Sequence, residues 1–592
     1  MKLYISALLV QFLLFSSLSF SQQQALYTWW NPASSGFPVI EGQAWPKEVK
    51  DAYDRFPARA EKTITDKVWH LSNNSAGLYI KFKTDAKKLS VRYVVKGKLA
   101  FPHMPATGVS GVDLYGIDRD GKWFWSPGNY SFGDTIQYTF SALLSRDDSS
   151  GRSFEYRLYL PLYNTVSWLE IGASEGKNFT PIPLRGEKPI VVYGTSIAQG
   201  GCASKPGLAW TAQLERNLDR PLINLGFSGE GHLDKEVMDL INEIDAKVYV
   251  LDCIPNLIEE SEYTPAEVNR RILAAVKQIR GKRPATPILL VEHSAGGQGH
   301  GINFGKNNAY DNTNEVLRKA FNTMISSGEK NLYLLSNKDI GFDMYSTVDG
   351  EHPTDIGMQQ YAAAYEKILR KILKEPTGSA STTIPVAQSR DDFYYWPSRH
   401  QEILAQTKAA PPKMAVIGNS ITHMWGGTPV SSIVHGRDSW EETFEPLHAI
   451  NMGFGWDRIE NVLWRVYHDE LDGFSARQIL LTIGTNNLDI NSNQEIIEGL
   501  KMLIPAILLR QPSAQLLLSG IYPRREKEKR ITLLNQKIAQ LAASFKVTYV
   551  DPGKTLLKAD RTINESLFTD GLHPNAVGYK KLAVALKPYL KK

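Results

Sequence analysis

Cysteine is nearly absent: 592 residues contain two, Cys202 and Cys253. That excludes a disulfide-built scaffold and a cysteine-based structural metal site. In an oxidising compartment the pair could form one bridge; otherwise they are two buried small side chains. An excess of one charge is also missing. Lys and Arg total 67 against 62 Asp and Glu, a net +5, and no basic run is sustained, so nucleic acid is not an expected partner. Past the N-terminus, no apolar run is long enough to span a bilayer. At the N-terminus, Lys2 leads an apolar stretch, Leu3 to Phe20, then Ser19-Phe20-Ser21 and polar Gln22-Gln23-Gln24. Small residues at the two cleavage positions predict a signal peptide over 1–21, hence a secreted or periplasmic protein with no remaining span.

The rest is too long for one core; at about 150 residues per domain it predicts three or four units. Residues 25–184 read as many short strands with period-two alternation, such as Leu89-Ser90-Val91-Arg92-Tyr93 and Phe154-Glu155-Tyr156-Arg157-Leu158. This predicts an antiparallel β-sandwich, and nothing in it assembles a nucleophile with a base. The texture changes after Lys188. Apolar strands such as Ile190-Val191-Val192-Tyr193 and Val248-Tyr249-Val250-Leu251 alternate with amphipathic helices over 186–375. Buried-looking strands separated by helices predict a parallel sheet covered on both faces. A Pro/Gly/Ser/Thr-rich linker over 376–391 follows, and the same element order returns over 392–592. The chain carries a domain-scale internal repeat.

Polar residues at the strand ends decide whether the repeat is only a scaffold. The first strand of each copy runs directly into a serine that opens a helix, in Gly194-Thr195-Ser196-Ile197 and Gly418-Asn419-Ser420-Ile421. Ligands bind at the carboxyl ends of such strands, although a serine there is also an ordinary helix cap. The far end of each copy carries Asp349-Gly350-Glu351-His352 and Asp570-Gly571-Leu572-His573. Asp and His three apart can meet, the carboxylate orienting the imidazole and the imidazole serving as base for a serine hydroxyl. One such pair is coincidence; two, at matching places relative to two matching serines, are not. After the second strands stand Asn224-Leu225-Gly226-Phe227-Ser228-Gly229 and Asn451-Met452-Gly453-Phe454-Gly455-Trp456. After the third strands stand Asn256 and Asn486. Main-chain N–H groups and an amide there are the donors that an oxyanion needs.

Four ordered blocks with Ser, Gly, Asn and His resemble the SGNH/GDSL hydrolase superfamily in both repeats. Gly111-Val112-Asp113-Leu114-Tyr115 resembles the Gly-x-Asp-Leu-Tyr module found ahead of such hydrolases. The second copy is similar to the platelet-activating-factor acetylhydrolase-like branch through Gly453-Phe454-Gly455-Trp456-Asp457-Arg458. The resemblance implies two flavodoxin-like three-layer α/β/α domains behind the sandwich, and hydrolysis of acetyl or other short acyl esters, often on polysaccharide. It departs from the family pattern at Thr195 and Asn419, which stand where Asp usually precedes the nucleophile, and at Trp456, where glycine is common.

The expected chemistry is a serine esterase acting on acetylated carbohydrate without metal or cofactor. Ser196 and Ser420 attack, His352 and His573 shuttle the proton, and Asp349 and Asp570 hold the imidazoles. Gly229 with Asn256, and Trp456 or Gly455 with Asn486, bind the oxyanion. Alternatives are one live domain beside a degenerate binding copy, or a lipid-directed esterase. His293, beside the glycine-rich stretch 296–305, and Arg458 are weaker candidates for substrate contact.

Overall fold

The computed structural model describes residues 26–141, 143, 153–258, 261–294 and 304–591. The stretch expected as a signal peptide and most of the glycine-rich stretch 296–305 lie outside the described residues. Among those described, no helix is long and apolar enough to cross a membrane.

Residues 27–181 form two antiparallel sheets. One runs in the order Tyr27–Trp30, Thr165–Ser174, Lys88–Lys96, Ile136–Ser141, Gly128–Ser131. The other runs Phe179–Pro181, Tyr79–Thr84, Phe154–Tyr159, Asp113–Ile117, Trp123–Ser126, with Ile40–Glu41 added against Tyr79–Thr84. In the first sheet alternation separates core from solvent: Leu89, Val91 and Tyr93 are buried while Arg92 and Val94 are not. In the second it separates one interior from another. Every residue of Tyr79–Thr84 is buried, and Tyr79 and Tyr159 share a core with Ile190 and Trp210 of the next unit.

Each of the following two units holds five parallel strands. The orders are Leu222–Gly226, Ile190–Gly194, Val248–Asp252, Ile288–Val291, Leu332–Leu335 and Ala449–Gly453, Met414–Gly418, Gln478–Thr482, Gln515–Ser519, Thr548–Val550. Strand residues enter two cores in alternation: Val191 and Tyr193 on one face, Ile190 and Val192 on the other. Both faces are apolar, so these strands read as unbroken hydrophobic runs. The strand order places the serine-bearing strand between its two neighbours. Its carboxyl end therefore opens at the switch point, where the chain leaves in opposite directions.

Buried ions join the units. Glu215 accepts from Arg157, Tyr79, Arg185 and Tyr159 at 2.5–2.9 Å, clamping the sandwich to the first α/β unit. The segment expected to be a linker is packed against the sandwich and the second α/β unit. The Thr382 hydroxyl donates to Glu495 O at 2.6 Å, Ser389 donates to Asp118 O at 2.9 Å, and Gly121 lies where a Cβ would come within 2.2 Å of Ala387 O. Hydroxyl-rich composition here supplies hydrogen bonds rather than slack.

His400 bridges the two α/β units. Its Nδ1 lies 2.7 Å from Glu470 and its Nε2 3.5 Å from Glu187. Burial alone would lower its pKa, but the two carboxylates outweigh burial and raise it to about 9. The folded value stands above the unfolded one of roughly 6.5. The stabilisation is therefore complete below about pH 6.5 and fades as pH rises through about 9. The chain should lose stability between these values, by up to about 3 kcal/mol from this group. His400→Gln should start less stable and decline less steeply, as read by thermal unfolding at pH 6.5 and 9.5.

Candidate active sites

Ser196 is the first residue of the short helix Ser196–Gln199, capped by Thr195, and Ser420 opens Ser420–His423, capped by Asn419. The cap oxygens accept from Ile197 N–H at 3.4 Å and Ile421 N–H at 2.9 Å. Thr195 and Asn419, which stand where the resemblance expects Asp, therefore cap the two helices. At the first site Ser196 Oγ lies 2.8 Å from His352 Nε2, and His352 Nδ1 lies 2.8 Å from Asp349 Oδ2. At the second, Ser420 Oγ lies 2.9 Å from His573 Nε2, and His573 Nδ1 lies 2.7 Å from Asp570 Oδ2. The second carboxylate oxygen of each Asp accepts the main-chain N–H of its own His, at 2.8 and 2.7 Å. Burial acts to raise both aspartates, but these N–H and imidazole contacts outweigh it and hold them below the usual carboxylate range. The carboxylates are thus anionic whenever the imidazoles are free to act as bases.

The expected oxyanion donors lie on a turn after the second strand. Glu230 N–H closes it onto Phe227 O at 3.0 Å, and Asp457 N–H onto Phe454 O at 3.3 Å. The third residue of each turn is left-handed: Gly229 at φ +76 and Trp456 at φ +68. The N–H groups of Ser196, Gly229, Ser420 and Trp456 have no acceptor among the described residues. Asn256 is anchored through its oxygen, which accepts from Gly231 N–H at 3.0 Å, so its amide hydrogens remain available. Asn486 is anchored through its nitrogen, which donates to Asp457 O at 2.9 Å and keeps one N–H.

Comparison with known proteins agrees with this geometry. Models of the GDSL-like lipase/acylhydrolase family match residues 187–370 and again 416–581, and a model of the N-terminus of SGNH-hydrolase-type esterases matches 27–179. Platelet-activating factor acetylhydrolase IB subunit alpha1 of Bos taurus is 30% identical over 218 residues, covering 36% of this chain and 88% of the relative. Subunit alpha2 of Rattus norvegicus is 29% identical over 198 residues, covering 32% and 81%. A crystal structure from Bacteroides ovatus ATCC 8483, of a protein described as GDSL-like lipase, is 32% identical, with TM-score 0.53 over 59% of this chain and 98% of its own. The chain belongs to the GDSL-like lipase/acylhydrolase family.

Three sequence expectations within this GDSL framework need correction, and the alternative left open for the two cysteines is decided. Gly455 is not an oxyanion donor, because its N–H is held by His423 Nδ1 at 3.2 Å. His293 is buried, its main chain paired at both N–H and O with the Asn314 side chain and its ring against Tyr310, so it does not face substrate. Arg458 pairs with Glu460 at 2.7 Å and reaches Asp120 of the sandwich at 3.4 Å, which makes it an interdomain contact. Cys202 and Cys253 are both free and buried. Cys253 directs its thiol toward Tyr193 O at 3.7 Å. Burial and the Asp349 charge push Cys202 up to about 12, so it does not compete with Ser196. A cavity of about 590 Å³ between the three units, lined by Trp123, Arg185, Trp396 and His400, includes neither serine.

Two positioning pairs escaped the sequence reading. Asn224 and Asn451 donate to Ala198 O and Thr422 O at 2.7 Å, fixing the nucleophile helices; their repetition ahead of each glycine was the available signal. Gln199 and His423, each three residues after the serine, accept the N–H of Ser228 and Gly455 respectively. Being different residue types, they carry no visible repeat. His423 is pushed to about 2 by burial and by Arg399 and Arg465, so it stays neutral and its Nδ1 can accept. His423→Leu should leave a buried N–H unsatisfied and cost about 1–3 kcal/mol. His423→Gln, which copies the first site, should keep most of that, as measured by thermal unfolding.

Proposed function

We propose that both clusters are live serine ester hydrolase sites and that the protein, exported from the cytoplasm, removes O-acetyl groups from carbohydrate. The observation that carries the reading is the Ser–His–Asp relay, made twice within 2.7–2.9 Å, beside unengaged N–H donors. The serine hydroxyl attacks the ester carbonyl while His Nε2 takes its proton. The oxyanion forms against the Ser N–H, the Gly229 or Trp456 N–H, and the Asn256 or Asn486 amide. The imidazole then protonates the departing alcohol, and water repeats the sequence to free acetate. Equal relay lengths speak against a degenerate copy.

Aromatic walls support a sugar-sized alcohol. Phe101 and Tyr163 flank the first site, with ring centroids 5.7 Å apart, and Tyr163 donates to Ser196 O at 3.2 Å. Phe393, Tyr394 and half-exposed Trp456 flank the second. Flat rings offer apolar area without demanding a long chain in the pocket. A second reading, an acetylated lipid, draws on exposed Met344, Tyr345, Val348 and Ile356 around the loop that carries Asp349 and His352, and on the likeness to platelet-activating factor acetylhydrolase subunits.

Acetate release from acetylated xylan and from platelet-activating factor, measured for the full chain, separates the two. The sugar reading expects faster release from xylan at both sites. Ser196→Ala and Ser420→Ala should each remove one component, and the double variant should lose at least about 10³-fold; retained turnover in the double variant would sink the mechanism. Asp349→Asn, in a Ser420→Ala background, should cost about 10⁴-fold in kcat with folding intact.

A further inference from the structure

A second imidazole stands beside the catalytic one at the first site, and at the second an unrelated segment that follows the nucleophile helix carries a histidine as well. At the first site it is His103, from the sandwich. Reciprocal main-chain bonds between Phe101 and Met104, at 3.0 and 3.1 Å, close a tight turn with His103 exposed at its tip. Thr107, just beyond the turn, donates to Ser204 O at 2.7 Å and pins it over the loop that follows the nucleophile helix. The His103 ring stacks on Phe101 and its centroid lies 6.0 Å from that of His352.

At the second site the segment after the nucleophile helix, residues 424–436, is longer than its counterpart 200–209 and brings its own imidazole. His435 N–H donates to Met424 O at 2.8 Å, and Gly436 sits where a Cβ would press on Tyr579 and Trp425. Burial lowers the pKa of His435, the His573 charge lowers it further, and Asp570 opposes both. The ring nitrogens of His103 and His435 make no hydrogen bond to protein among the described residues.

The location defines what these rings meet. The catalytic imidazole protonates the departing alcohol, so the alcohol lies on the imidazole side of the serine, and the acyl oxygen lies toward the Gly229–Asn256 or Trp456–Asn486 donors. A ring beside the catalytic His therefore faces the alcohol. A neutral imidazole donates one hydrogen bond and accepts another, which matches a hydroxyl adjacent to the ester.

We propose that His103 and His435 are specificity residues that hydrogen-bond free hydroxyls on the alcohol half of the ester, selecting polyhydroxylated alcohols such as partly acetylated sugars. This rests on the ester-hydrolase reading above. The test compares kcat/KM for a mono-acetylated methyl xyloside with that for p-nitrophenyl acetate, whose alcohol has no spare hydroxyl. In the full chain carrying Ser420→Ala, His103→Ala should lower the ratio of the two roughly five- to tenfold, through KM, and His103→Gln should recover part of it. In the Ser196→Ala chain, His435→Ala should do the same. A ratio that moves less than about twofold at both sites, whether both esters slow together or neither does, overturns the proposal. Failure of the two single-Ser parents to hydrolyse either ester would overturn the ester-hydrolase reading, and this assignment with it.

Discussion

A carboxylate placed three residues before an imidazole grips it at two points, through the ring N–H and through the residue's own main-chain N–H. In this chain the grip occurs at Asp349–His352 and at Asp570–His573. Its consequences are geometric and electrostatic together. The ring can present only Nε2 to the serine, and the carboxylate keeps its charge. The remaining components have only to bring a hydroxyl under that nitrogen. Gly201 shows how tight the fit is, since a Cβ there would come within 3.1 Å of His352 Cδ2 and 2.9 Å of the Tyr163 hydroxyl.

The parallel sheet supplies the hydroxyl. With the serine-bearing strand between its second and third neighbours, three strand ends converge on one point: serine from the first, the donor turn from the second and asparagine from the third. The second-strand glycines, Gly226 and Gly453, allow the nucleophile helix to close down, since a Cβ on either would come within 2.2 Å of the main-chain N of Gln199 or His423. Both copies keep this frame while its fittings differ. The amide beside the oxyanion donor is tied off by a glutamine in one copy and a neutral histidine in the other. Trp456 accepts the left-handed backbone that Gly229 takes freely, and half of its ring remains exposed beside Arg390.

Around the frame, buried ions hold three units together at points far from the serines. Glu215, His400 and Arg220 each join segments distant in sequence, Arg220 donating to Tyr467 O at 2.7 Å. Such pairs are strongly destabilising to break singly. The turn that carries His103 is held separately, by the Thr107 hydroxyl on Ser204 O at 2.7 Å.

Features set within a few residues were legible before any coordinates. The serine that ends a strand and opens a helix, the Asp-x-x-His turns and the apolar runs of the parallel strands are local, and their repetition separated signal from chance. Folding alone decided matters that hinge on a group arriving from elsewhere. Whether the Gly455 or the Trp456 N–H is available depends on His423, one strand away. Arg458 is a candidate for substrate contact until Asp120 meets it, and His293 is another until Asn314 and Tyr310 enclose it. The two cysteines count as a pair by composition, yet each is separately buried as a free thiol. The residues written along the strands and turns determined what chemistry was available; long-range packing determined which groups had partners already, because a hydrogen bond or a charge is satisfied in space rather than along the chain.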